Sequence, residues 1–331
     1  MPLSVTPAAQ AMRAFATNPA TRWYKQGAIA NEPNGLLAFQ RLRQSPFTPH
    51  IIPQFRVARD DKVFAIGSCF ARGVEAALIR QGMQVLSKTA EFDSFPRVRN
   101  ENPGGFVNKY NVFSIYNELY WALDPAAEFP CQSIVPVGNN LYYDPHACAS
   151  LQFASLEETL QRRAILRSVT ARVQQCRVII ITLGLVEVWR DTIADVIINA
   201  TPLPEAVEHH PERYEFHVSS FAETIEELEK IHGLLEQHGH PGTQIVVTVS
   251  PVPLMATFSG EDVVVANSYS KSMLRAAAQE WASHHTNVHY FPSYEIVQCS
   301  QGAQTWEEDL RHVRGQVVQH IMRIFLEKYL D

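Results

Sequence analysis

Val63-Phe64-Ala65-Ile66-Gly67-Ser68-Cys69-Phe70-Ala71 is the stretch on which the reading of this chain turns. Residues 63–66 form a short apolar run with β-branched ends, and from Ala71 the apolar residues recur at helical spacing until Gly82. The pattern predicts a buried strand running directly into a helix. Gly67 supplies a tight turn at low steric cost. Ser68 then stands where unpaired N–H groups and the positive end of a helix dipole favour a developing oxyanion. Two roles fit Ser68 on this stretch alone: a nucleophile, or a helix cap accepting from the N–H of Ala71. Cys69 reads as a small buried thiol, with a nucleophile as its other reading.

Outward from this corner, strands and helices alternate. Gln84–Ser87 reads as a second strand. The segment 88–107 carries turn chemistry at Asp93-Ser94, Pro96, Asn100, Asn102-Pro103 and Gly104-Gly105. A loop this long, leaving the carboxyl end of a parallel strand, lies where such sheets bind ligands. Asn108, Tyr110 and Asn111 are therefore site candidates, although Asn111 and Ser114 also suit the cap of the helix that ends near Leu123. VGNNLYYDPHA (137–147) resembles a hairpin. Residues 156–176 form an amphipathic helix opened by Ser155, with Glu158 at capping-box spacing.

Residues 177–183 are continuously apolar, as a strand buried on both faces should be, and end in Gly184-Leu185-Val186-Glu187. Ser220 caps a helix over 221–237, a strand follows at 244–249, a helix at 268–284 and a last strand at 288–291. The alternation predicts a mostly parallel, doubly wound α/β sheet with right-handed crossovers. Residues 1–55 read as an arm packed on a domain of residues 56–331, which carries excursions at about 88–155 and 190–220. The Arg and Trp content of the arm also suits a homo-oligomer contact.

Over 331 residues the net charge of −6 and the pI near 6.1 argue against a nucleic-acid partner or an anionic membrane surface, either of which needs a basic face. No apolar run reaches the roughly 18 residues of a membrane span, and no signal-peptide core opens the chain, so a cytoplasmic location is expected. The five cysteines, at 69, 131, 148, 176 and 299, have no CxxC pair and read as free thiols. His209-His210, the set His232, His238 and His240, and His284-His285 lack metal-ligand spacing, so neither a metal nor another cofactor is expected.

A nucleophilic serine needs a base, and the base an orienting acid. Glu307-Glu308-Asp309-Leu310-Arg311-His312 follows the last strand and leads into the final helix, at the same carboxyl edge as Ser68 in such a sheet. Asp309 and His312 are spaced so that one turn presents both. Their other reading is an Asp309 helix cap beside an ordinary first-turn His312.

GSCFA at 67–71 is the name-giving motif of the GSCFA family, a mostly bacterial group that resembles the SGNH/GDSL hydrolases. VFAIGSCFA, YNVFSI, IIITLGLVEVW, VVTVSPV, NSYSKSMLRAAA, HYFPSYEIV and DLRH are similar to that family's blocks, in the same order. The resemblance implies a flavodoxin-like three-layer α/β/α sandwich, with Ser68 as nucleophile and Asp309 and His312 as the acid–base pair. The superfamily's oxyanion asparagine has no counterpart in a G-x-N arrangement after the third strand. Gly184 N–H, Asn108 and Asn111 are the substitute donors. Glu187 stands in the same segment as a substrate-binding candidate, a carboxylate being a donor only when protonated. The implied activity is hydrolysis of an acyl ester, such as an acetyl group on a saccharide or small molecule. The alternatives are O-acyl transfer from an acyl thioester and a catalytically silent module that binds a glycan or a partner.

Overall fold

The computed structural model describes residues 3–32, 34–98, 104–147 and 151–331. Asn100, Asn102, Pro103 and Cys148 lie outside the described residues. The chain divides into two compact bodies, a larger one of residues 60–250 and 254–290 and a smaller one of residues 1–59, 251–253 and 291–331. Ahead of the larger body come α1 (Ala8–Thr17) and α2 (Ala38–Arg41), which belong to the smaller.

The larger body is an α/β fold on a five-stranded sheet. Its parallel strands are β1 (Lys62–Gly67), β2 (Gln84–Val85), β5 (Val178–Leu183), β9 (Gln244–Val249) and β10 (Val288–Tyr290), in the spatial order β10-β9-β5-β1-β2. Counting parallel strands along the chain, this is the flavodoxin-like order 2-1-3-4-5. All six residues of β5 are buried, which explains its unbroken apolar run: a central parallel strand is covered on both faces. The chain moves one way from β1 to β2 through α3 (Phe70–Arg80), and the other way from β5 through α7 (Phe221–His238) to β9 and through α8 (Val263–His284) to β10. Right-handed crossovers taken in opposite directions place α3 on one face and α7 and α8 on the other. On that second face α7 packs against α8 and also against α4 (Val112–Leu123), which in turn packs on α5 (Leu156–Ala171).

Local chemistry sets the element ends. The second strand stops at Val85 rather than Ser87 because the Ser87 hydroxyl takes over as ladder partner, accepting from Ala65 N–H at 3.1 Å and donating to Glu75 at 2.5 Å. Asn111, not Ser114, caps α4: its Oδ1 accepts from Ser114 N–H at 2.8 Å. Helix α8 begins five residues before the expected Ser268, because Asp262 Oδ1 accepts from Val264 N–H and extends it. Ser220 and Glu223 form a capping box at the start of α7. The expected hairpin is present as the antiparallel pair β3 (Val135–Gly138) and β4 (Leu141–Tyr143).

The excursion after β5 is itself ordered, as the antiparallel sheet β7-β6-β8 of β6 (Glu187–Asp191), β7 (Val196–Ile198) and β8 (Tyr214–Val218), with the short α6 (Pro204–His209) between the last two. A buried pair, Arg213 Nη2 to Asp191 Oδ2 at 2.6 Å, ties the start of β8 to the end of β6.

The smaller body holds α9 (Ser293–Gln298), α10 (Gly302–Thr305) and α11 (Gly315–Tyr329) beside the N-terminal residues. Val57 pairs with Leu330 as an isolated parallel bridge, donating to Tyr329 O at 2.7 Å and accepting from Asp331 N–H at 3.1 Å. Phe47 N–H donates to Ser300 Oγ at 2.8 Å, and Phe325 stacks on Tyr329 while Phe291 meets both rings edge-on, forming an aromatic core. The N-terminal segment is thus held by the tail of the same chain. Among the described residues, no helix is long and apolar enough to cross a membrane.

Candidate active site

In the order 2-1-3-4-5, the crossovers reverse direction between the first and third strands, and a crevice opens there at the carboxyl edge. Those strands are β1 and β5, whose carboxyl ends carry Gly67-Ser68 and Gly184. Gly67 has φ +129°, and a Cβ there would fall 2.2 Å from Thr182 O, so the corner accepts only glycine. Gly184 is equally confined: a Cβ on it would lie 2.5 Å from Tyr110 O and 3.4 Å from Ser68 Cβ. The Gly184 backbone therefore borders the serine.

Ser68 is 3% exposed. Ala71 N–H donates to the backbone carbonyl of Ser68 at 2.9 Å, and the serine side chain takes no part in capping α3. The helix-cap reading is therefore replaced: the carbonyl does that work, and the hydroxyl has no hydrogen-bond partner among the described residues of its body. A buried, unpartnered hydroxyl is costly unless another group meets it during function. The Ser68 N–H is engaged, donating to Thr182 O at 3.1 Å. No acceptor for the Gly184 N–H is found among the described residues of this body, which leaves it as the donor that borders Ser68.

The segment 108–111 is stitched between the two strand ends. Lys109 N–H donates to Gly67 O at 2.8 Å, and Leu185 N–H donates to Tyr110 O at 2.7 Å. Asn199, from the end of β7, clamps it from outside: its Oδ1 accepts from Tyr110 N–H and its Nδ2 donates to Asn108 O, both at 2.8 Å. Asn199 has no local signal in the sequence, since it reaches this segment only through the fold of the excursion. Asn111 lies in the same segment, but its amide is engaged by the α4 cap and by a 3.3 Å bond to Ile198 O.

Glu187 has a holding role. Thr257 Oγ1 donates to its Oε1 at 2.5 Å and Phe258 N–H to its Oε2 at 3.3 Å, so the carboxylate accepts from both and anchors the loop after β9. That anchoring sets Phe258 against Trp189 and Phe216, with ring centroids 5.1 and 5.9 Å away, as an aromatic cluster.

Behind the corner lies a buried charged cluster. Lys109 Nζ donates to Glu118 at 2.6 Å and to His146 O at 2.7 Å, and Arg163 donates to both Glu118 and Asp144. Burial pushes the Glu118 carboxyl up, but Arg163 and Lys109 outweigh it and hold the group at about 2. Burial drives His146 down to about 3, so its imidazole stays neutral.

Asp309 and His312 belong to the smaller body. They sit on a turn closed by an antiparallel bridge between Trp306 and Val313, with Glu307 N–H donating to His312 O at 2.8 Å. Helix α11 starts only at Gly315, after Arg314 as its N-cap, so Asp309 does not cap it and His312 is not in its first turn. Asp309 Oδ1 accepts from Arg311 N–H at 3.0 Å and His312 N–H at 2.9 Å, and its Oδ2 faces His312 Nδ1 at 2.5 Å. The backbone N–H groups of His312 and Arg311, then the imidazole, hold the Asp309 carboxyl well below the usual carboxylate range. Arg311 Nη1 lies 3.2 Å from His312 Nε2, and a guanidinium only donates, so Nε2 is an acceptor and the ring proton sits on Nδ1, toward Asp309. Leu310 bears the conformational cost of this turn, with φ +53°.

Among the described residues, no group of three or more His, Cys, Asp or Glu side chains is placed to hold a metal ion. Among the described residues, Cys69, Cys131, Cys176 and Cys299 form no disulfide.

No curated protein matches the chain. Among solved structures it is similar to a family 3 carbohydrate esterase of Clostridium thermocellum, at 9% identity and a TM-score of 0.32, over 81% of this chain and 94% of that one. It is also similar to a Corynascus thermopiles (Myceliophthora fergusii) carbohydrate esterase family 2 enzyme with its carbohydrate binding domain, at 10% identity and a TM-score of 0.33, over 84% of this chain and 68% of that one. The model of the GSCFA family matches residues 62–325, and the chain belongs to the GSCFA family.

Proposed function

We propose that this protein is a serine-dependent acyl-ester hydrolase in which Ser68 is the nucleophile, His312 the general base and acid, and Asp309 the group that fixes the imidazole. The observation that carries this reading is Ser68 itself: a buried hydroxyl at the switch point of the sheet, freed from capping and left without a partner in its body. The state of His312 supports it, because a base for a serine needs Nδ1–H held by a carboxylate and a lone pair on Nε2.

In the proposed reaction Ser68 Oγ attacks the ester carbonyl as its proton passes to His312 Nε2, which exchanges its long contact with Arg311 for the serine. The tetrahedral oxyanion accepts from Gly184 N–H. A donor of this kind contributes about 10²–10³-fold in rate. Collapse breaks the bond to the alcohol, which leaves with the proton from His312. Water then attacks the acyl-serine by the reverse proton route, giving the free acid and restoring Ser68. The cluster of Trp189, Phe216 and Phe258, with Thr257 and Glu187 at its edge, suits an alcohol that has both a flat apolar face and hydroxyls, as a saccharide does.

The test is hydrolysis of p-nitrophenyl acetate by the wild type, Ser68→Ala and His312→Ala, together with mass spectrometry after a fluorophosphonate. The expected result is turnover by the wild type alone and one phosphonyl adduct on the peptide containing Ser68. Equal turnover by Ser68→Ala, or an adduct elsewhere, overturns the proposal.

A further inference from the structure

The smaller body holds a cleft of about 670 Å³, lined by Ser45, Gln304, Arg314, Gln319, His320 and Arg323 among others, with no carboxylate in its lining. That volume lies within the range of small-molecule sites. Both guanidiniums are fixed by neutral partners. Arg314 Nε donates to Trp306 O at 2.7 Å, and Arg323 Nη2 donates to His320 Nδ1 at 2.9 Å. Because Arg323 can only donate, His320 carries its proton on Nε2 and gives it to Thr48 Oγ1 at 3.1 Å. The imidazole is therefore a neutral strut that orients Arg323. Burial and the neighbouring Arg323 push His320 below its ordinary value, consistent with that state.

The nearest carboxylates, Glu307 for Arg314 and Glu327 for Arg323, each stand 3.9 Å away and are themselves exposed, so they neutralise the two cations weakly.

Two oriented guanidiniums facing one carboxylate-free cleft match an oxyanion with several acceptor oxygens. The Gln304 and Gln319 side chains around them supply both donors and acceptors, which is what hydroxyl groups require. The geometry points to a binding site for a phosphomonoester of a small polyhydroxylated molecule, with the phosphate between Arg314 and Arg323 and the hydroxyls against Gln304 and Gln319. The site stands apart from the esterase reading and does not depend on it.

Isothermal titration calorimetry of the full chain with glycerol phosphate, inorganic phosphate and glycerol tests it. Saturable binding of glycerol phosphate is expected, with weaker binding of inorganic phosphate and none of glycerol. Each of Arg314→Gln and Arg323→Gln should weaken glycerol phosphate about 10-fold or more, the loss of one charge-assisted hydrogen bond. The double variant, checked for native circular dichroism, should not bind. No saturable heat at millimolar glycerol phosphate, or equal affinity in the wild type and the double variant, overturns the site. Equal affinity for inorganic phosphate and glycerol phosphate overturns the polyhydroxyl part of the assignment.

Discussion

Replacing Glu118 by Gln removes one of two carboxylates from a buried cluster in which two anions, Glu118 and Asp144, balance two cations, Lys109 and Arg163. All four side chains are almost wholly buried. The variant leaves a net positive charge in the interior, and breaking a buried pair in this way costs about 3–5 kcal/mol. A second route gives a similar figure. The folded carboxyl lies at about 2 against an unfolded value near 4.5. That difference corresponds to about 3 kcal/mol. Because the folded value is depressed, this stability is fully present above about pH 4.5 and is lost as the pH falls through 2. Urea unfolding followed by tryptophan fluorescence at a series of pH values reads both effects. Glu118→Gln should lower the unfolding free energy at neutral pH by about 3 kcal/mol or more and flatten its fall in acid. A loss below about 1 kcal/mol, or an unchanged acid slope, would refute the claim that this cluster is charged and stabilises the segment behind Ser68.

Three further outcomes are expected. Gly67→Ala forces a Cβ to 2.2 Å from Thr182 O at a positive φ and should destabilise the chain by about 2–6 kcal/mol, read as a shift of the urea midpoint. Asp309→Asn keeps the size of the side chain while removing the charge that accepts from His312 Nδ1. It should lower kcat on p-nitrophenyl acetate by at least about 10²-fold with little change in KM, and a kcat within a few-fold of wild type would separate Asp309 from the chemistry. Ser220→Ala removes one half of the capping box of α7 and should cost about 1 kcal/mol, seen as a lower Tm with unaltered esterase activity.

Periodicity carried much of the architecture because the signals are local. The unbroken apolar run of β5, the capping pattern at Ser220 and Glu223, and the glycine between β1 and α3 each report on a few neighbouring residues whose backbone or burial admits few alternatives. The strand order follows from the alternation of elements and the handedness of crossovers, neither of which depends on side-chain detail. Side-chain duties are a different matter, because they depend on partners far away in sequence. From the local stretch, Ser68 reads as a cap or as a nucleophile, and only the backbone bond from Ala71 to the Ser68 carbonyl releases the hydroxyl from capping. Glu187 is a substrate-binding candidate from its place after β5, and only the fold shows that Thr257 and Phe258, which lie about seventy residues on, donate to its carboxylate. The tight turn that pairs Asp309 with His312 is closed by a bridge between Trp306 and Val313 rather than by the helix that follows.

The sequence by itself determined the doubly wound sheet, the glycine-serine corner at its carboxyl edge and the candidate acid–base pair in the tail, since spacing, turn residues and burial patterns act over short range. Tertiary structure alone decided which polar groups are engaged and which are left open: the unpartnered Ser68 hydroxyl, the Gly184 backbone beside it, the Asn199 clamp and the buried charges behind Lys109. Hydrogen bonds are directional and form between whichever groups the fold brings within about 3 Å of each other, so their pairing is settled only when the chain is closed.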